Sequence, residues 1–328
     1  MKFEDIFTFE NLYKSAKKCC NGVRWKSSTQ NLETKMLHTV TKLHDELISG
    51  KFKSKGFHEF IARERGKERL IKSVHIVERI VQKCLCDYCL IPIFCKKFIH
   101  DNGACLKRKG VRFAVKRLKT HLHRYYLRNS TNEGYILLFD IKSFFDSINH
   151  EKLKSMVKPY LDDKTFSLYA HLIDCFGGDV GLGLGSQISQ ISAGIYLSQL
   201  DHYLKDKLRI KFYGRYMDDG YVICKSKEHL KEVQAIIMQL LKDVGLEVSA
   251  KKTYIVALKH GFTFLKRRFI LRGNGKLSIR PYKKNIRRYL RKYKKAKDKE
   301  SLTTNFVGYL KEFNYQDRYT RRIEQCSN

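Results

Sequence analysis

Six apolar residues broken only by Asp140 form the run Tyr135-Ile-Leu-Leu-Phe-Asp-Ile141. The run is too short for a helix and does not alternate. It therefore reads as a strand buried on both faces, central in a sheet, with Asp140 near its end. The chain around it has 328 residues, enough for roughly two domains or one elaborated domain with a sizeable core. Hydrophobic residues at 43% and aromatics at 12% exclude a disordered chain.

Other elements follow from spacing. Leu32, Met36, Val40, Leu43 and Leu47 recur at intervals of 4, 4, 3 and 4, predicting one amphipathic helix stopped by Gly50. Residues 60–73 are charged, with Gly66 at the centre, and predict a hairpin with arginines on its arms. Residues 74–95 turn apolar and helical. Asn149 is placed to cap a helix carrying Leu153, Val157, Tyr160 and Leu161. A glycine-rich stretch (Gly177, Gly178, Gly181, Gly183, Gly185) precedes a helix predicted from about Ser189 to Leu208. Phe212–Tyr216 and Tyr221–Cys224 read as strands, with Asp219-Gly220 as the hairpin turn between them.

Adjacent Asp218 and Asp219 repel each other, and in a chain this basic a cation explains them better than mutual tolerance does. Asp140, on a separate buried strand, can approach them across a sheet. Three carboxylates with few imidazoles favour a hard, oxygen-seeking ion, Mg²⁺ or Mn²⁺. Alone, an Asp-Asp-Gly segment is an ordinary polar turn. Its weight comes from the strand aspartate, the glycine-rich loop before a helix and the basic C-terminal helix that accompany it.

Lys and Arg number 66 against 33 Asp and Glu, a net charge of +33. That argues against a neutral metabolic enzyme and for a polyanionic partner, nucleic acid first. From residue 266 onward there are 20 Lys and Arg against 5 Asp and Glu. There Ile286, Leu290 and Tyr293 mark an apolar stripe on an otherwise basic helix, suited to phosphate contact with strong salt dependence. No run approaches the roughly 18 apolar residues of a membrane span, and Met1-Lys2-Phe3-Glu4-Asp5 has no secretory pattern, so a cytoplasmic protein without membrane association is expected. Cys84, Cys86, Cys89 and Cys95 lack the paired C-x2-C spacing of a zinc knuckle and read as reduced core thiols.

In their order, these motifs resemble those of reverse transcriptases, specifically the bacterial branch related to group II intron proteins and, within it, diversity-generating retroelement and antiphage-defence enzymes. Tyr216-Met217-Asp218-Asp219 resembles the YxDD box and Phe139–Asp146 the first aspartate motif. Leu182–Gln190 resembles the glycine-Ser loop, Gly245–Thr253 the next palm motif, and Phe262–Lys266 the primer grip. The resemblance implies an α+β right-hand polymerase of fingers, palm and short helical thumb. Residues 1–139 would be an N-terminal extension and fingers, 140–280 the palm with an inserted fingers segment, and 281–328 the basic thumb. It implies an RNA-directed DNA polymerase holding two Mg²⁺ ions, Mn²⁺ being able to substitute, which activate a 3′-hydroxyl and stabilise a leaving pyrophosphate. Asp140, Asp218 and Asp219, with the Ile141 carbonyl, would be the ligands. Arg63, Arg69, Ser143, Phe144, Phe145, Leu184 and Lys252 would face the dNTP, Phe145 excluding a 2′-hydroxyl and Lys252 a candidate proton donor to pyrophosphate. Gly185, Ser189, Gln190, Tyr216, Phe264, Leu265, Lys266, Arg287, Arg288 and Arg291 would meet RNA template, primer or DNA product. The plain alternatives are a solvated charged hairpin for the arginines, a core residue for Phe145 and a surface lysine for Lys252.

Three departures matter. Leu184-Gly185 and Ser189-Gln190 stand where the family commonly has Gln-Gly and Ser-Pro, and Leu184 cannot hydrogen-bond near a nucleotide. Lys266 replaces the glycine of the usual Phe-Leu-Gly grip. The short C-terminal segment leads to the expectation of no maturase or endonuclease domain. The excess charge points to a dedicated non-coding RNA or an accessory protein as partner, in antiphage defence or a retroelement. A template-independent DNA polymerase, an RNA polymerase and a nonenzymatic RNA-binding scaffold are the competing readings.

Overall fold

The computed structural model describes residues 2–64, 67–295, 299–311 and 313. The chain forms two compact units, each built from three separated segments.

The first unit comprises residues 1–110, 141–211 and 236–249. Its N-terminal part is helical. The helix anticipated around Leu32–Leu47 is two helices, Ser27–Thr34 and Met36–Ile48, broken at Lys35. Leu32, Val40, Leu43 and Leu47 are nonetheless all buried, because a one-residue break shifts the apolar stripe without inverting it. The charged segment is an antiparallel hairpin, β1 (Phe57–Glu64) and β2 (Lys67–Val74). Its expected turn at Gly66 lies outside the described residues. Helices Ile76–Leu85 and Ile91–Phe94 are joined by a π-helical turn over Cys86–Leu90. Burial pushes the Cys84 thiol up to about 12 and those of Cys19 and Cys89 to about 11, so these are inert core groups. Asn149 accepts from the Lys152 amide at 2.9 Å and caps a helix, as predicted. That helix, His150–Val157, ends earlier than expected: Tyr160 and Leu161 fall on and after a 3₁₀ turn over Lys158–Tyr160, where Pro159 interrupts the α-helix. The long helix anticipated over 189–208 is shorter pieces, Gln187–Tyr196, Ser198–His202 and a π-helical turn Tyr203–Lys207.

The second unit comprises residues 111–140, 212–235 and 250 onward. It holds a four-stranded antiparallel sheet of β3 (Tyr135–Asp140), β4 (Tyr213–Tyr216), β5 (Asp219–Cys224) and β6 (Tyr254–Ala257), in the order β4-β5-β3-β6. β3 is interior, as its apolar run requires. A second sheet contains β7 (Phe262–Phe264), β8 (Arg267–Leu271) and β9 (Leu277–Pro281). Helix Val111–Asn129 packs Leu118, Leu122 and Tyr125 with Ile136, Leu138, Ile223 and the ring of Phe269 into one core. Helices Lys283–Lys295 and Lys299–Lys311 make a small separate core of Ile286, Tyr293, Phe306 and Leu310. Tyr289 and Phe306 stack there at 3.6 Å, and Leu290 is partly buried against them. The predicted apolar stripe thus holds the helix pair, and Arg287 and Arg291 remain exposed.

Candidate active site

The carboxylates are gathered by strand register. β3 pairs with β5 so that Asp140 stands directly opposite Asp219. Like charges directly opposite on a sheet destabilise it. Asp218 adds a third carboxylate in the adjoining turn. That turn is not at Asp219-Gly220 as expected: Tyr216 pairs with Asp219, so the two turn residues are Met217 and Asp218. Met217 takes a positive φ of 54° with a side chain no glycine would carry. Arg215, 1% exposed, donates from Nη1 to the Met217 carbonyl at 2.9 Å and braces the turn from below. Gly220 is not a turn residue but a strand residue. A Cβ there would lie 2.2 Å from the Phe139 ring.

Burial and the neighbouring negative charge set the electrostatics. Burial, then the charges of Asp218 and Asp140, push the Asp219 carboxyl up to about 7. Asp218 is raised by burial and by Asp140, while its own backbone hydrogen bond, Lys252 and Arg215 pull the other way. Lys252 donates to Asp140 Oδ2 at 2.6 Å. Burial alone would lower the Lys252 ammonium, but Asp140, Asp219 and Asp218 raise it, so it stays protonated at neutral pH. Among the described residues no three His, Cys, Asp or Glu side chains already surround a common point as metal ligands, and Asp140 turns to Lys252 instead. The donor chemistry still fits a hard divalent ion. The group offers only carboxylate oxygens, with the three aspartates set against the Lys252 ammonium and the Arg215 guanidinium.

The other expected site residues in the second unit lie on two further elements. Phe264 is buried, and Leu265 and Lys266 form a two-residue turn with φ of 43° and 65°. Lys266 thus occupies the left-handed conformation that the missing glycine would adopt freely. The turn is tied down: Arg267 donates to the Leu265 carbonyl at 2.7 Å, and the Tyr309 hydroxyl donates to the Lys266 carbonyl at 2.7 Å. Lys266→Gly should raise stability by about 0.5–1 kcal/mol, read as a shift in urea midpoint. Arg287, Arg288 and Arg291 lie on helix Lys283–Lys295.

In the first unit, Ser143 (φ 46°) starts a 3₁₀ turn over Phe144–Ser147. Phe144 is buried whereas Phe145 is only partly so, its ring edge-on to Phe144 at 5.5 Å. The core role therefore falls to Phe144. The Leu182 amide donates to the Phe145 carbonyl at 2.8 Å and the Gly181 amide to the Ile148 carbonyl at 2.8 Å, fastening the glycine-rich loop to this turn. Leu184 lines a cavity of about 190 Å³ with Leu70, Lys72, Asp146 and Phe176. Gly185 is exposed at φ 101°, Gln190 is exposed, and Ser189 is fully buried with no hydrogen-bond partner for its hydroxyl among the described residues. Arg63 is exposed and donates to Glu68 at 2.9 Å across the hairpin. Arg69 stands on β2, opposite Ala62. Sequence reasoning missed a buried relay behind the loop. Ser54 donates to Glu78, Gln82 donates to Glu78 at 3.4 Å, and Ser186 donates to Gln82 at 2.7 Å. The helical spacing of Glu78 and Gln82 was its only signal.

Residues 53–290 match the family model described as reverse transcriptase (RNA-dependent DNA polymerase). The chain belongs to that family. Family membership places it among nucleotidyltransferases, and its fold is of the right-hand polymerase class. It is 24% identical over 282 residues to Protein YkfC of Escherichia coli, covering 73% of each chain. It is 26% identical over 201 residues to the putative COX1/OXI3 intron 1 protein of Saccharomyces cerevisiae, covering 58% of this chain and 23% of that one. A solved structure of Candida albicans telomerase in complex with a fragment of telomeric RNA superposes with a TM-score of 0.53 at 13% identity, covering 83% of this chain and 55% of that one. This reverse transcriptase thus spans about half the length of the telomerase it resembles. No helix among the described residues is long and apolar enough to cross a membrane.

Proposed function

We propose that the protein copies an RNA template into DNA. The observation that carries this reading is the register that sets Asp140 opposite Asp219 with Asp218 in the adjoining turn. Asp140, Asp218, Asp219 and the Ile141 carbonyl would hold two divalent ions, Mg²⁺ first. Those ions would supply the charge that activates a primer 3′-hydroxyl and offsets the pyrophosphate leaving from the α-phosphate. Lys252, kept protonated by its carboxylate neighbours, would give its proton to the pyrophosphate. Lys252→Gln should lower single-turnover extension about a hundredfold, with Lys252→Arg falling between the two.

Residues 1–139, 140–280 and 281–328 would serve as fingers with extension, palm and thumb, with β3 and helix Val111–Asn129 joining the palm from the first range. Arg63, Arg69, Ser143 and Phe144 would meet the triphosphate. The partly exposed ring of Phe145 would stand under the sugar, so Phe145→Ala should admit UTP opposite a poly(rA) template while keeping dTTP incorporation. Gly185, Ser189, Gln190, Tyr216, the Phe264–Lys266 turn and the thumb arginines would hold template and primer. A group II intron-like lineage, a dedicated non-coding RNA and a cytoplasmic role in defence or a retroelement complete the proposal.

The decisive assay is extension of oligo(dT) on poly(rA) with dTTP and Mg²⁺, with and without chelator. Failure to incorporate under any metal condition sinks the reading. One observation favours a second: the cavity wall at Leu184 is apolar where a hydrogen-bonding side chain is usual. If product sequence ignores the added template, the activity is untemplated DNA synthesis on the same site.

A further inference from the structure

Helix Val111–Asn129 contains six Lys and Arg and no Asp or Glu. Its buried side packs on the sheet that carries the three aspartates. Its exposed side bears Arg112, Lys116, Lys119 and His123 at spacings of 4, 3 and 4, with Arg124 and Arg128 alongside. Three residues beyond His123, the Tyr126 hydroxyl donates to the Gly273 carbonyl at 2.9 Å. That bond, between residues 147 apart, docks the β8–β9 turn at the end of the stripe and brings up exposed Arg272 and Lys276. None of Lys116, Lys119, Arg124, Arg128, Arg272 or Lys276 pairs with an acid among the described residues. From Arg112 to Tyr126 the track is about 20 Å long at 1.5 Å per residue.

We propose that this track is a second nucleic-acid surface, which grips the phosphates of a base-paired RNA stem distinct from the strand being copied. Three features choose that partner. The cations are spaced along a straight, rigid element, as a duplex backbone requires. Among the described residues the one exposed ring on the track is the His123 imidazole, since Tyr126 is half-buried with its hydroxyl on Gly273 and its ring against Gly275. There is thus no row of rings on which successive unpaired bases could stack. Its only exposed large apolar residue is Leu127, too little to enter a membrane. The stripe faces away from the sheet, so it does not compete with the carboxylates for primer. The proposal rests on the reading of the protein as an RNA-using polymerase.

The test is the full chain carrying Lys116→Gln, Lys119→Gln, Arg272→Gln and Lys276→Gln together. Binding of an RNA hairpin with about two helical turns of stem is followed by fluorescence anisotropy across a salt series. The slope of log affinity against log salt should shrink by about three, with at least tenfold weaker binding at physiological salt. Binding and extension of oligo(dT) on poly(rA) should hold within twofold. An unchanged hairpin slope overturns the proposal. So does an equal loss for poly(rA)·oligo(dT), which would put these cations in the copying cleft. A wild-type chain that never extends a primer, yet loses the hairpin in the variant, would remove the polymerase reading and leave the surface standing.

Discussion

Asp219→Asn is expected to melt several degrees above the wild-type chain in chelator at pH 8 and to extend primers at least a thousandfold more slowly. The two effects share one cause. Asp219 faces Asp140 across the β3–β5 ladder, with Asp218 beside it, and its carboxyl is raised from the ordinary 3.8 to about 7 by burial and by those charges. The folded chain therefore binds a proton between pH 3.8 and 7 that the unfolded chain releases. Stability falls as pH rises through that window, and the loss is complete above it. The full loss is on the order of a few kcal/mol. The asparagine variant escapes it, so its advantage should fade as pH drops from 7 toward 4. Adding Mg²⁺ should raise the wild-type melting point more than the variant's, because bound cation offsets the same repulsion. A variant no more stable than wild type at pH 8 in chelator would mean the carboxylates are not in conflict.

Gly220→Ala is expected to destabilise the chain by about 3 kcal/mol or more, and to leave little folded protein on expression. The added Cβ would stand 2.2 Å from Phe139 Cζ, and Phe139 is only 2% exposed within the β3 ladder. Neither can retreat without moving Asp140 or Asp219, which flank them in the register. A urea titration reads the loss directly. A normal midpoint would show that the two strands part more easily than their packing implies.

These effects mark the boundary of what residue order discloses. Tyr135–Asp140 is a strand, and an interior one, because no other conformation buries so many consecutive apolar side chains in so short a run. The Asn149 cap, the charged hairpin and the apolar stripe of helix Lys283–Lys295 were legible for the same reason, since each is fixed by neighbours within a few positions. The three aspartates were legible as a set because like charges kept close in a basic chain call for a cation. Register was not. A hairpin signal at Asp219-Gly220 names the right region but cannot choose between turns two residues apart, and pairing with β3 made that choice. The helix around Leu32 broke at Lys35, and the one after the glycine loop at Leu197, because packing overrode a continuous local pattern. The division of labour between Phe144 and Phe145, the buried brace of Arg215, and the Tyr126 tie that joins two basic segments 147 residues apart depend on distant segments meeting. The sequence by itself determined which elements form and which chemistry the carboxylates favour, since propensity, apolar period and charge are local. Tertiary structure alone decided which groups face one another, because that follows from strand register and core packing.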